Sequence, residues 1–340
     1  MHSFKNDYTE TAHPRILQAL IDTNMEQDEG YGLDRHSKAA AESIRNRLGE
    51  DAQKADIHFL CGGTQANLTA ISAFLRPHEA VIAAETAHIF VHEAGAIEAT
   101  GHKILTVPTP DGKLRSEEIQ KVLDFHPNDE HMVKPRLVKI SNSTEIGTIY
   151  EKRELEDLCR FCREHKLLLY TDGARMGSAL TAEGNDVTLA DMCRMTDAFY
   201  IGGTKNGALL GEALVISNDA LKEDFRYHIK QKGGLLAKGR VLGVQFEELF
   251  RDDLFFELAK HANAMAQLIV AKLKKSGYDF LTDSPSNQIF PILPDELIEK
   301  LQKNWAFYVW KKIDEKCSAI RLVTSWATKE ETIREFLEEF

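Results

Sequence analysis

Short apolar runs recur through the middle of this chain, each separated from the next by a stretch of helical period, and that alternation constrains the fold more than any other feature. The runs are Ile57–Leu60, Ala80–Ala83, Ile104–Val107, Arg136–Ile140, Lys166–Tyr170 and Asp197–Ile201. Between them lie the helical stretches Ala66–Leu75, Ser116–Phe125 and Glu151–Lys166, the last with Leu155, Leu158, Cys159 and Cys162 on one stripe. Strands alternating with helices predict a largely parallel sheet covered by helices, an α/β domain. In such sheets ligands sit beyond the carboxyl ends of the strands. A further run, Ala213–Ile216, follows its predecessor closely and reads as an edge strand. Upstream, to about Gly49, the chain reads as helices, with Ala40, Ile44 and Leu48 sharing a face.

From about Leu235 the pattern changes. Val241–Leu273 is a long helical stretch without proline, followed by short runs such as Gln288–Ile292 and Ala319–Val323 mixed with helices. This predicts a smaller C-terminal α+β domain, with residues 1–240 forming the large domain, 241–340 the small one, and the junction inside 235–275. A length of 340 residues suits one large and one smaller domain.

Charge and cysteine usage exclude several classes. The net charge is −11 and no Lys/Arg cluster stands out, which argues against a nucleic-acid partner. No stretch approaches the ~20 apolar residues of a membrane span. Met1–Asp7 carries no apolar run of a secretory signal. Five cysteines without framework spacing fit reduced thiols in a cytoplasm. Cys159 and Cys162, with His165 behind them, have no second Cys/His pair at a zinc spacing and read as core residues; no metal site is expected. His92–Glu93 has Ala96 where a zinc protease needs a second histidine, and Gly112–Lys113 runs into Leu114, so no P-loop follows. Lys329–Phe340 reads as a solvated helix with one buried face.

Three strand ends carry residues suited to chemistry. After 57–60 comes Cys61-Gly62-Gly63-Thr64-Gln65-Ala66-Asn67, where glycines at a strand-to-helix turn let backbone N–H groups approach an anion; the alternative is a plain tight turn. After 167–170 comes Thr171-Asp172-Gly173-Ala174-Arg175. Its acid either caps a helix or holds the ring N–H of a heterocyclic cofactor, with Arg175 meeting the cofactor or its phosphate. After 197–201 comes Gly202-Gly203-Thr204-Lys205-Asn206-Gly207, whose lysine is either a solvated loop residue or the amine of a Schiff base. Together the three supply an anion cradle, a ring-nitrogen acid and an imine lysine at one sheet edge.

On these residues the chain resembles the threonine aldolase and β-eliminating lyase family of fold type I, pyridoxal-phosphate (PLP) dependent enzymes. The further anchors are Ala-His-Ile at 87–89 and Arg-Leu-Val-Thr-Ser-Trp at 321–326. The resemblance implies a seven-stranded-type, mainly parallel sheet and PLP as cofactor. It implies that Gly62, Gly63 and Thr64 hold the phosphate and that His88 stacks on the pyridine ring. His131 falls where the family has a second active-site histidine, or is simply exposed within Asp129-Glu130-His131. Arg321 matches the arginine that binds the substrate carboxylate, and a bidentate partner would remove the cost of an arginine inside an apolar run. Asn6-Asp7 and Gly30-Tyr31-Gly32 resemble substrate-side segments, with Tyr31 reaching a neighbouring subunit's site in a homodimer or homotetramer. Ser141-Asn142-Ser143-Thr144 departs from the family's acidic-Asn-Thr-His run. Gly233–Arg240 departs from its glycine-rich Met-Arg segment, leaving Lys238 or Arg240 to replace an arginine that helps bind phosphate.

The implied reaction is retro-aldol cleavage of β-hydroxy-α-amino acids: L-threonine or L-allo-threonine gives glycine and acetaldehyde, with His88 or His131 as base. The alternatives are a β-eliminating lyase or aminotransferase on the same scaffold, and an inactive cofactor-binding relative.

Overall fold

The structure, a computed structural model, describes residues 2–52 and 54–340. The strands in chain order are β1 (His2–Ser3), β2 (Asp56–Leu60), β3 (Glu79–Ala84), β4 (Ile104–Val107), β5 (Lys134–Ser141), β6 (Leu168–Asp172) and β7 (Ala198–Gly202). They continue with β8 (Glu212–Ile216), β9 (Gln288–Ile289), β10 (Ile292–Pro294), β11 (Trp305–Ala306), β12 (Tyr308–Lys312) and β13 (Cys317–Val323). Seven of them form the central sheet in the order β2-β8-β7-β6-β5-β3-β4. All are parallel except β8, which runs antiparallel to both β2 and β7.

That arrangement corrects one expectation. β8 is not at an edge but between β2 and β7. The chain turns tightly from β7 into β8, as a hairpin must, and β2 then covers the other side of β8. Burial on both faces explains its uninterrupted apolar run, which sequence alone could not separate from an edge strand.

The period of two along each strand sends alternate residues to two cores. Ala80, Ile82, Val138, Ile140, Phe199 and Ile201 join the core on one face of the sheet. Val81, Leu137, Tyr170, Ala198 and Tyr200 join the core on the other, together with Ala66, Ala70 and Ile71 of helix Gly63–Phe74. Burying one such Phe or Ile side chain contributes roughly 1.5–3 kcal/mol. By the same alternation Lys139, Ser141 and Asp172 belong to the second face.

A third core gathers Met265–Leu273, Ile289, Leu293, Trp305, Ile320, Leu322, Ile333 and Phe336, and it includes Phe4 from the N-terminus. β1 pairs with β11 beside it. The expected single helix over 241–273 is two. Helix Arg240–Leu249 packs on the helix Arg35–Arg45, and a short turn with left-handed Asp252 and Asp253 (φ 53° and 59°) precedes helix Leu254–Lys275. Phe255 and Leu258 of the longer helix belong to the first core, whereas Met265 to Leu273 belong to the third. We place the division between the two units inside this helix, with residues 2–4 packing on the C-terminal side.

Candidate active site

Asp172 ends β6, and its neighbour Gly173 lies so close to β7 that a Cβ there would stand 1.7 Å from the Tyr200 carbonyl oxygen. Only glycine lets the two strand ends close up. The Gly202 N–H donates to the Gly173 carbonyl at 2.9 Å, and Lys205 follows in the turn beyond β7. The acid and the lysine therefore meet at one sheet edge.

Asp172 is buried and fully engaged. Oδ1 accepts from the Ala174 N–H at 3.1 Å and from the Tyr200 hydroxyl; Oδ2 accepts from Asn67 Nδ2 at 3.0 Å and lies 3.2 Å from Lys139 Nζ. Burial alone would raise its pKa, but the Lys139 charge and these hydrogen bonds overcome that and hold the carboxyl far below the usual range. Lys205 moves down instead: burial disfavours its ammonium form and the nearby Arg175 charge adds to that, against Asp7 and Asp172. Such a lysine is a nucleophile nearer neutral pH than a solvated one. Glu212, the first residue of β8, is buried beside it, and burial pushes its carboxyl up. Glu212 Oε2 has no partner.

The cradle is open. Helix Gly63–Phe74 begins after Gly62 with no side-chain cap, and Thr64 is exposed, so its first N–H groups are free for an anion. A Cβ on Gly63 would stand 2.9 Å from the Tyr200 hydroxyl, which ties this turn to the Asp172 cluster.

His88 begins the helical turn His88–Val91. Its Nδ1 lies 2.8 Å from Glu93 Oε1, and its N–H donates to Glu145 Oε1 at 2.9 Å. Glu93 is sequestered and also accepts from Asn67 Nδ2 at 2.8 Å, so one amide bridges the acid behind His88 and Asp172. His92 stands next to His88, ring centroids 5.4 Å apart. Partial burial, then His88 and Arg321, keep its imidazole below the ordinary value, against Glu145.

Arg321 rises from β13. It donates to Gln288 Oε1 from Nη2 at 2.6 Å and lies over the Trp310 ring at 5.7 Å. No carboxylate lies within 4.0 Å of it among the described residues. Burial lowers its pKa to about 10, a sign of a guanidinium lacking a counter-ion.

The structure therefore brings together Lys205, Asp172, His88, Gly62, Gly63, Thr64 and Arg321. Four expectations come out differently. His131 lies in the exposed turn before β5, at the amino end of a strand whose carboxyl end carries the site. Eight strand residues separate the two edges. Arg175 is not turned to a phosphate: Nε and Nη2 grip Asp7 at 2.7 and 2.9 Å. Asn6 folds back on its own turn, accepting from the Tyr8 N–H and the Thr9 hydroxyl, and its neighbour Asp7 does the work. Tyr31, expected at a neighbouring subunit's site rather than this one, is exposed beneath Lys230 Nζ at 4.7 Å and lines a separate cavity with Arg45, His58 and Arg226. Of the basic residues proposed for phosphate, Lys238 is exposed and Arg240 caps the Glu26 and Asn24 carbonyls at 2.5 and 3.0 Å.

Sequence reasoning assigned no role to Lys139, Glu145, Glu93, His92 and Glu212, and it named Asp7 only as part of the Asn6-Asp7 segment. Lys139 did leave a signal, since a lysine is foreign to the apolar run of a central parallel strand. The rejected His92–Glu93 pair matters for a different reason than zinc.

The match to the beta-eliminating lyase family model covers residues 4–294. The chain belongs to that family. It is 32% identical over 336 residues to a low specificity L-threonine aldolase of Pseudomonas aeruginosa, covering 98% of this chain and 95% of the relative. A solved structure of a Leishmania major threonine aldolase superposes with a TM-score of 0.97 at 50% identity, covering 99% of this chain and 98% of that one. An aspartate aminotransferase of Thermus thermophilus shares the fold at a TM-score of 0.73 and 16% identity. The architecture is that of fold type I.

Proposed function

We propose that this lyase uses PLP to cleave the Cα–Cβ bond of β-hydroxy-α-amino acids, giving glycine and acetaldehyde from L-threonine or L-allo-threonine. The observation that carries the reading is the junction of β6 and β7, where a buried, charged Asp172 and a half-buried lysine of lowered basicity share one sheet edge. The residues suit the cofactor. Lys205 would hold it covalently, Asp172 would take its ring nitrogen, and the free N–H groups after Gly62 would take its phosphate. Asn142 Nδ2, buried beside Asp172 and without a partner, is a donor of the kind a ring oxygen satisfies. When bound, PLP supplies an acceptor for the electron pair of the broken bond.

The chain's own groups do the rest. Arg321 binds the substrate carboxylate and so fixes the rotation about Cα. Glu93 fixes the orientation of the His88 ring. His92, whose ring has no hydrogen-bond partner among the described residues and whose imidazole is held below its ordinary pKa, removes the β-hydroxyl proton.

Purified protein is expected to show a visible imine band and to release equal glycine and acetaldehyde from L-threonine; Lys205→Ala should abolish both. 2-Oxobutanoate and ammonia in their place would replace this reading by β-elimination. His92→Asn should lower kcat for cleavage about 100-fold or more. It should leave exchange of the glycine α-hydrogen in D2O intact, and equal loss of both would remove His92 from the base role.

We also propose a homodimer or homotetramer with shared sites. Phe90 and Val91, on the turn that carries His88, are half exposed at 50% and 51%, as residues covered by a partner would be. Five free cysteines fit the reducing cytoplasm proposed for the chain. Among the described residues no helix is long and apolar enough to cross a membrane.

A further inference from the structure

A second lysine is buried at the site, and the chemistry above does not use it. Lys139, the sixth residue of β5, has no solvent-exposed side-chain surface. Its Nζ lies 2.6 Å from Ser141 Oγ, 3.2 Å from Asp172 Oδ2 and 3.4 Å from Glu145 Oε1. The register places Lys139 opposite Tyr170 and Ser141 opposite Asp172, so the ammonium reaches across to the next strand's last residue. Burial opposes its charge, yet Asp172, Glu145 and Glu93 together more than restore it, so Lys139 is a cation.

Its effect falls on Asp172. A carboxylate has about four lone-pair positions. In Asp172 they are taken by Ala174, Tyr200, Asn67 and Lys139. A ring nitrogen approaching Asp172 must displace or share one of these donors. The backbone N–H of Ala174 is fixed, and the Asn67 amide is held twice over, its Nδ2 also donating to Glu93 and its Oδ1 accepting from the Tyr170 hydroxyl. Among these donors Lys139 alone carries a charge, and if it lets go it keeps two other oxygen partners, Ser141 and Glu145.

We infer that Lys139 is the resident counter-ion of Asp172, competing with the cofactor's ring nitrogen for Oδ2 and tempering the electron withdrawal the ring exerts. The inference rests on the PLP reading above. A cation beside a proton site lowers its proton affinity, and here the site is shared by Asp172 and the ring nitrogen. A ring that holds its proton loosely is a weaker electron acceptor. The consequence is a choice between outcomes: prompt return of a proton to Cα, which gives glycine, over transfer of the amino group to the cofactor. In that side reaction the amino acid is oxidised to its keto acid and the cofactor aldehyde is reduced to an amine, so no outside oxidant is needed. Lys139 is on this account a positioning residue, acting through Asp172.

The test uses holoenzyme reconstituted with PLP labelled with 15N in the ring. At pH 7 the ring nitrogen shift of Lys139→Met should move toward the protonated limit relative to wild type, and Lys139→Arg should return it. The ratio of pyruvate formed from alanine to acetaldehyde formed from threonine should rise about tenfold in Lys139→Met, matching a change of about one unit in proton affinity. Lys139→Met leaves Asp172 and Glu145 buried without their cation. The double variant Lys139→Met with Glu145→Gln keeps the local charge balanced and should give the same nitrogen shift if the single variant does not fold. An unchanged shift, or an unchanged product ratio, overturns the inference. If the wild type takes up PLP and cleaves threonine while the shift stays put, only the role of Lys139 is lost; if it takes up no PLP, the cofactor reading falls with it.

Discussion

Two arginines reach the site from opposite sides, and their surroundings differ in one respect. Arg175, on the large-domain side, is closed: Asp7 grips it through two hydrogen bonds, and Asn287 Nδ2 holds Asp7 in turn at 2.9 Å. Arg321, on the C-terminal side, is open: it contacts a neutral amide, a carbonyl and the face of Trp310, with no carboxylate within 4.0 Å among the described residues. A guanidinium with its own carboxylate is structural, whereas one buried without it is waiting for a carboxylate from elsewhere. The difference separates the arginine that ties the N-terminal segment to the sheet from the one proposed to meet substrate.

The largest effect should come from opening the closed side. Asp7→Ala leaves Arg175 buried without its counter-ion and should cost about 3–5 kcal/mol in denaturant unfolding, while Arg321→Ala should cost far less. Comparable losses from the two would erase the distinction. Next, Arg321→Ala should raise KM for L-threonine about 100-fold, as the loss of about 2–3 kcal/mol of charged hydrogen bonding implies, with a smaller change in kcat. An unchanged KM would move the carboxylate to another residue. The smallest effect concerns pH. Burial alone would raise the Asp7 carboxyl, but the Arg175 and Lys205 charges and the hydrogen bonds from Arg175 and Asn287 together hold it below its ordinary value, so the stability it contributes is present above the unfolded pKa and is lost as pH falls through the folded one. Between pH 4 and pH 2 wild type should lose about 1–2 kcal/mol that Asp7→Asn does not, read as a flatter acid limb of melting temperature.

The central sheet was legible in the chain because burial on both faces leaves unbroken apolar runs, and the three strand-end motifs pointed at its carboxyl edge. Lys205 and Asp172 followed from that alone; His88 and Arg321 needed the family resemblance. Sequence distance misled elsewhere. His131 precedes β5 by few residues, yet the strand carries its own start to the far edge. Asn6 and Asp7 are adjacent, and which one turns inward depends on Arg175, 168 positions away. The break at Asp252–Asp253 was invisible because neither residue is a glycine or proline, although both adopt positive φ. Buried acids such as Glu93 and Glu212 look like any other glutamate until their neighbours are known.

The reversal of β8 has a consequence for how the site tolerates change. Every other strand of the central sheet delivers its final residue to the reactive rim, whereas β8 delivers its first, Glu212. Lys205 and Glu212 therefore hang from the two sides of one hairpin, laced by the Gly203 and Thr204 N–H groups donating to the Gly211 carbonyl at 2.9 and 3.1 Å. Their spacing is set by the single covalent connection between β7 and β8, residues 203–211, and does not depend on the C-terminal unit. An insertion anywhere in that loop would disturb the amine and its acidic neighbour together, whereas one in the connections to β13 would displace Arg321 and leave both in place.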